Sequence, residues 1–106
     1  MSEVELLVRH EAEIDALDYV EYIRHRNPDA AFRFLAAIDS TVEALSKQPL
    51  MGRPRRFRGK DLGNIRSWRV NGFETYLIFY RFDGRRLEIL HIKHGAMKFP
   101  RALRRN

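Results

Sequence analysis

The stretch at 75–82, TYLIFYRF, places Tyr76, Ile78, Tyr80 and Phe82 on one face of a strand and Leu77 and Phe79 on the other. A strand that is apolar on both sides belongs inside a sheet and has to be covered on each face. Its neighbours follow from turn chemistry. Residues 65–70 alternate as a strand and end at Asn71-Gly72, a strong hairpin signal. Asp83-Gly84 then turns the chain back into a strand over 86–93. These three strands form an antiparallel meander.

The first half of the chain supplies the cover. Over 11–26, Ala12, Ala16, Tyr19, Val20 and Ile23 fall on one helical face. Asn27-Pro28 ends that helix and starts another, since Asn27 can cap and Pro28 suits the first helical position. Ala31, Phe34, Leu35, Ile38, Val42 and Leu45 carry the helical period up to Pro49. So short a connection folds the two helices into an antiparallel hairpin. Val4, Leu6, Leu7 and Val8 read as a first strand. The expected fold is α+β, in the order β-α-α-β-β-β, with the hairpin packed on a mainly antiparallel sheet of three or four strands. Phe34, Leu35, Ile38, Val42 and Leu45 are expected to bury against Ile78, Tyr80, Leu90 and Ile92. The hairpin covers one face only. The other is left for the C-terminal tail, a partner or self-association.

A length of 106 residues fits one domain with a modest core. An apolar fraction of 44% and a charged fraction of 32% fit a globular chain and exclude a disordered one. With no cysteine there is neither a disulfide nor a thiolate metal site, which suits a reducing cytoplasm. The start of the chain lacks the pattern of a signal peptide, and its apolar runs are too short for a bilayer. The expectation is a soluble cytoplasmic protein.

Charge is divided by position. Residues 1–50 carry five Lys/Arg against ten Asp/Glu, and residues 51–106 carry fifteen against four. The densest run lies in QPLMGRPRRFRGK, at 48–60, with Arg53, Arg55, Arg56, Arg58 and Lys60. Such a split points to a polyanionic or acidic partner for the second half. The run connects the hairpin to the meander and should extend a basic face at one end of the sheet.

Taken together, AEIDALDYVEYI (12–23), NPDAAFRFLAAI (27–38), PLMGRPR (49–55) and IRSWRVNGFETYLIFYRFDGRRLEILHIKHGA (65–96) resemble the ParE/RelE superfamily of toxins of type II toxin–antitoxin modules. The closer branch is ParE, the plasmid-stabilisation toxins, and IFYR and HGA are the most specific pieces. The resemblance implies a toxin that blocks DNA gyrase and is neutralised by a cognate antitoxin whose acidic segment folds on binding, giving a toxin–antitoxin hetero-oligomer. Ribosome-dependent mRNA cleavage, as in RelE relatives, is the alternative. A non-toxic basic nucleic-acid-binding domain is the third reading. The ribonuclease members tend to place a basic residue where this chain has Leu77, and another where it has Ser67.

Cleaving RNA without a metal needs a base for the 2′-hydroxyl, an acid for the leaving oxygen and cations on the phosphate. The candidates are Arg69, Arg81, His94 and Tyr80, with Lys98 as a further cation. His91 and His94 point to opposite faces at a spacing of three, and neither has an acidic neighbour in sequence to orient it. Arg66, Arg69 and Arg81 lie on adjacent strands, as a possible anion clamp or as separate surface residues. Candidates for contacting a target are Arg53, Arg55, Arg56, Arg58, Lys60, Arg66, Arg69, Lys93, Lys98 and Arg101. No metal-ligand set or Gly-rich phosphate loop is visible, so neither metal nor cofactor is expected.

Overall fold

The computed structural model describes residues 4–60 and 62–95. Strand β1 (Glu5–Val8) leads into helix α1 (His10–Arg26), helix α2 (Pro28–Lys47) and strands β2 (Arg53–Arg55), β3 (Ile65–Val70), β4 (Phe73–Phe82) and β5 (Arg86–His94). The sheet order is β1-β5-β4-β3-β2. β4 is central, as its two apolar faces require. Two features exceed the expected meander. β1 joins β5 in parallel, and the basic run forms β2, antiparallel to β3. β2 has no hydrophobic alternation to announce it; pairing with β3 makes it a strand.

One residue joins the helices. The Asn27 N–H donates to Ile23 O at 2.7 Å, closing α1, and its side chain accepts from the Ala30 N–H at 3.1 Å, opening α2. α2 buries Ala31, Phe34, Ala37, Ile38, Thr41 and Leu45 against the sheet. Leu35, expected in this core, is 41% exposed, because it lies one step around the helix from the stripe running through Phe34, Ile38, Thr41 and Leu45. Val42 is partly buried at the stripe's margin. Thr41 takes the central place despite its hydroxyl. Oγ1 donates to Ala37 O at 2.6 Å and accepts the Asn71 N–H at 2.9 Å, which satisfies it in the interior.

The helix face of the sheet contributes Val70, Tyr76, Ile78, Tyr80, Leu87, Ile89 and Ile92 to that core. Leu90, also expected there, packs on the opposite side near Leu62, Ile65 and Phe79. The cause is a slip in the β4–β5 register, from Phe79↔His91 to Tyr80↔Ile89, which inserts Leu90 as an extra residue. Below the sheet, Phe57 and Leu62 cover Phe79. Among the described residues the basic segment and the loop after it supply this second cover; the C-terminal tail considered from the sequence lies outside the described residues. Among the described residues, no helix is long and apolar enough to cross a membrane.

Phe34 is fully buried and meets the rings of Phe73 and Tyr76 edge-on at 5.2 and 4.9 Å. Phe34→Ala is expected to lose about 3–5 kcal/mol in urea denaturation. Leu35→Ala, on the exposed margin, should lose less than about 1 kcal/mol.

Candidate functional site

The outer face of the sheet, away from the helices, gathers the cations. Pairing places Arg53 opposite Ser67 and Arg55 opposite Ile65, then Arg69 opposite Leu77 and Arg81 opposite Ile65. Arg55 turns inward. Its Nη1 donates to Ser67 Oγ at 3.0 Å, and its guanidinium lies 5.6 Å from the Phe57 ring centre and 5.5 Å from that of Phe79. Burial, with the charge of Arg53 second, pushes its pKa down. Arg53, Arg56, Arg58, Lys60 and Arg69 are exposed. Lys98 and Arg101 lie outside the described residues.

Arg66 does not join Arg69 and Arg81. It sits opposite Tyr80, and its Nη1 donates to Leu50 O at 3.1 Å and Gly52 O at 2.8 Å. The three-arginine clamp therefore does not form. Arg69 and Arg81 share a face, but Arg81 stands four positions along β4 from Arg69's partner Leu77. At strand rise the two backbone positions stand about 13 Å apart along the sheet, a spacing suited to a longer anionic surface.

Tyr80 is also on the helix face, fully buried. Its hydroxyl donates to Pro49 O at 2.7 Å and accepts the Gly52 N–H at 2.9 Å, while burial raises its pKa. A Cβ on Gly52 would overlap that hydroxyl and come within 2.7 and 2.8 Å of ring carbons, so only glycine fits here. Tyr80 and Arg66 together fasten the turn that launches β2. This role leaves Tyr80 no access to substrate.

α1 passes along the edge of β5 beyond the end of β1. Asp15 Oδ2 accepts the Ile92 N–H at 3.0 Å and lies 3.0 Å from His91 Nδ1, and Oδ1 accepts from Lys93 Nζ at 3.1 Å. One turn on, the Tyr19 hydroxyl accepts the His94 N–H at 2.9 Å. The fit is geometric: four helical residues rise about 6 Å, close to the repeat of about 6.6 Å between alternate strand amides. Lys93 is buried, so it is unavailable to a target. His91 does have a carboxylate partner, one that lies 76 positions away in the chain. Asp15 stood in the sequence only as part of the family resemblance; nothing in spacing tied it to β5. Burial works to raise the Asp15 pKa, and the bonds from His91, Ile92 and Lys93 outweigh it, so the net shift is downward.

His94 lies opposite Tyr76 on the helix face, their rings edge-on at 5.1 Å. With Asp18, Tyr19, Tyr22 and Tyr76 it lines a cleft of about 380 Å³. The four residues with a possible ribonuclease role thus divide, Arg69 and Arg81 on one side of the sheet, Tyr80 and His94 on the other. Among the described residues, no group of three or more His, Asp or Glu side chains is placed to hold a metal.

The sequence profile of the ParE toxin of the type II toxin–antitoxin system parDE matches residues 6–99. This chain belongs to the ParE toxin family. A Sinorhizobium fredii protein, Y4kP, whose name marks it as a candidate toxin, is 38% identical over 84 residues, covering 77% of this chain and 78% of that one. The fold matches a chain of the chromosomal ParDE toxin–antitoxin system of P. aeruginosa with a TM-score of 0.69 at 17% identity, over 87% of this chain and 96% of the other. A chain of the RelBE2 toxin–antitoxin complex of Mycobacterium tuberculosis matches at 0.59 and 27% identity, over 87% and 98%.

Two variants test this ParE-family site. Tyr80→Phe leaves the Gly52 N–H without its acceptor and should destabilise by about 1–3 kcal/mol. Asp15→Ala strands Lys93 in the interior and should cost about 3 kcal/mol or more at neutral pH. Because the folded Asp15 pKa lies below its ordinary 3.8, the stabilisation is complete above that value and is lost as pH falls through the folded pKa. Urea titrations at stepped pH should therefore show the wild type and Asp15→Ala converging in acid.

Proposed function

We propose that this chain is the toxin of a type II toxin–antitoxin pair and that, once free of its antitoxin in the cytoplasm, it inhibits DNA gyrase without cutting RNA. One observation carries the choice of target. The groups able to move protons, Tyr80 and His94, lie on the face opposite the phosphate-binding candidates Arg69 and Arg81. On the arginine face, Glu88 is held by Arg9 at 2.9 Å and His91 by Asp15. General acid–base catalysis needs its groups within hydrogen-bond reach of one substrate, and this arrangement does not offer that. A basic face around Phe79 is suited instead to covering an acidic or DNA-bearing protein surface. Arg53, Arg56, Arg58, Lys60 and Arg69 are the residues assigned to that contact.

The antitoxin reading draws on the family match and on the neighbours, which come from ParDE and RelBE systems. It is also supported by apolar side chains that the fold leaves in solvent on the helices. Leu17 is 65% exposed and Phe32 75%, and Phe32 and Leu35 stand three apart on α2. An amphipathic antitoxin helix laid on this hairpin would bury them, and an acidic segment of the same antitoxin that continues onto the outer face of the sheet would meet its cations. The chain acts as a single toxin domain in that complex.

The RelE-type alternative, mRNA cleavage, stays as the second reading because a chain of a RelBE2 toxin–antitoxin complex matches at 27% identity. Expression without antitoxin separates the two. Gyrase inhibition should give filamentous cells, DNA-damage signalling and loss of supercoiling in a purified assay, with translated mRNA intact. Codon-positioned mRNA cleavage with supercoiling untouched would reverse the assignment. Co-purification with the product of the adjacent reading frame tests the antitoxin; a chain that is harmless alone and recovers no such partner is not a toxin.

A further inference from the structure

A sheet edge presents unpaired N–H and C=O groups, and proteins block it with charge, proline, short length or a covering element. Most edges of this sheet are blocked. β2 is three residues long and consists of Arg53, Pro54 and Arg55. The β5 edge beyond β1 is held by Asp15 and Tyr19. The far end of β3 meets α2, where Thr41 accepts the Asn71 N–H. β1 is short, but among the described residues it carries no proline and no covering element. All four of its residues are exposed, with Leu6 at 47%, Leu7 at 38% and Val8 at 39%.

The direction of its free groups is fixed. Glu5 and Arg9 donate their N–H groups inward, to Arg85 O and Ile89 O, each at 2.9 Å. Strand alternation therefore turns the N–H and C=O groups of Leu6 and Val8 outward. The sequence Glu5-Leu6-Leu7-Val8-Arg9 is also complementary to itself when run backwards. A two-fold axis through Leu7 sets Glu5 opposite Arg9 of a second copy, Leu6 opposite Val8, and Leu7 opposite Leu7.

We propose that β1 pairs antiparallel with β1 of a second copy of this chain, centred on Leu7, joining two five-stranded sheets edge to edge. The register uses the outward groups as the pattern demands: Leu6 and Val8 form hydrogen-bonded pairs, and Leu7 with Leu7 forms the close, non-hydrogen-bonded pair. Glu5 already meets Arg86 at 2.9 Å, and Arg9 meets Glu88 at 2.9 Å. The pairing extends these into an alternating row of Arg86, Glu5, Arg9 of the second copy and Glu88 of the second copy. A slip of one residue would oppose inward-facing and outward-facing groups. A slip of two would set Glu5 or Arg9 against Leu7. Both are disfavoured, so one register is specified. The edge itself, with one Glu and one Arg, is charge-balanced and offers an acidic segment no attraction. Its complement is itself, and such an interface is isologous.

The absence of cysteine makes the test direct. Opposed residues of a non-hydrogen-bonded pair have Cα atoms about 4.5 Å apart, within disulfide range. Full-length Leu7→Cys should form a covalent dimer in mild oxidation at least about tenfold faster than Leu17→Cys, an exposed control on α1, because pairing holds the two thiols at high effective concentration. Sedimentation should show a monomer–dimer equilibrium for the wild type that Leu7→Lys shifts to monomer with unchanged circular dichroism. Equal cross-linking of the two cysteine variants, a monomer at every concentration, or a dimer that Leu7→Lys leaves intact would each overturn the proposal. So would Leu6 and Val8 amides that exchange freely in the chain alone and gain protection only when a cognate antitoxin is added, since the edge would then serve a different partner.

Discussion

β4 needs an apolar layer on both of its faces, and the rest of the architecture answers that need. The helical hairpin supplies the upper layer through Phe34, Ile38 and Leu45. The lower layer is smaller, built from Leu62, Ile65 and Phe79 with Phe57 and Leu90 at its margin. That the second cover comes from the most basic part of the chain is reconciled by geometry. The Arg55 guanidinium sits over the Phe57 and Phe79 rings, so it adds to the apolar layer while its neighbours stay in water. Charge density and burial are thus served by alternate residues of one short segment.

Attachment of the hairpin to the sheet rests on hydrogen bonds at both ends. At one, Asp15 and Tyr19 bind alternate amides of β5 as a further strand would. At the other, Tyr80 and Arg66 hold the carbonyls of the turn after α2, and Thr41 bridges α2 to the end of β3. Each of these polar groups is buried or partly buried and has a partner. Removing one therefore leaves another unsatisfied, which makes the fastening cooperative. It also accounts for the places of Tyr80 and Asp15: a phenol or carboxylate in the interior is kept only with its partners in place.

The toxin assignment follows from the family, and the proposed target rests on which side of the sheet each group occupies. Arg69 and Arg81 face one way, Tyr80 and His94 the other. A continuous strand cannot bring residues of opposite parity to one reacting atom. The exposed cations remain, spread over β2, the loop that follows it and β3, and that spread matches a broad protein or nucleic-acid contact more closely than a small reaction centre.

Much of this was written in the chain itself. The periods of α1 and α2, the double role of Asn27, the Asn71-Gly72 and Asp83-Gly84 turns and the two-sided β4 all act between near neighbours. They determined the element order and most of the core, and the family motifs are carried by those same local patterns. Tertiary structure alone decided the rest, because those features join residues distant in sequence or depend on register. Asp15 meets His91 and Lys93 only after α1 has crossed the β5 edge. Leu90 leaves the helix face because one extra residue enters the β4–β5 ladder. β2 exists because β3 offers it an edge, and Arg66 points away from Arg69 because the pleat inverts the side at every odd step. Periodicity reports which residues are apolar together; only the assembled sheet reports which polar ones meet.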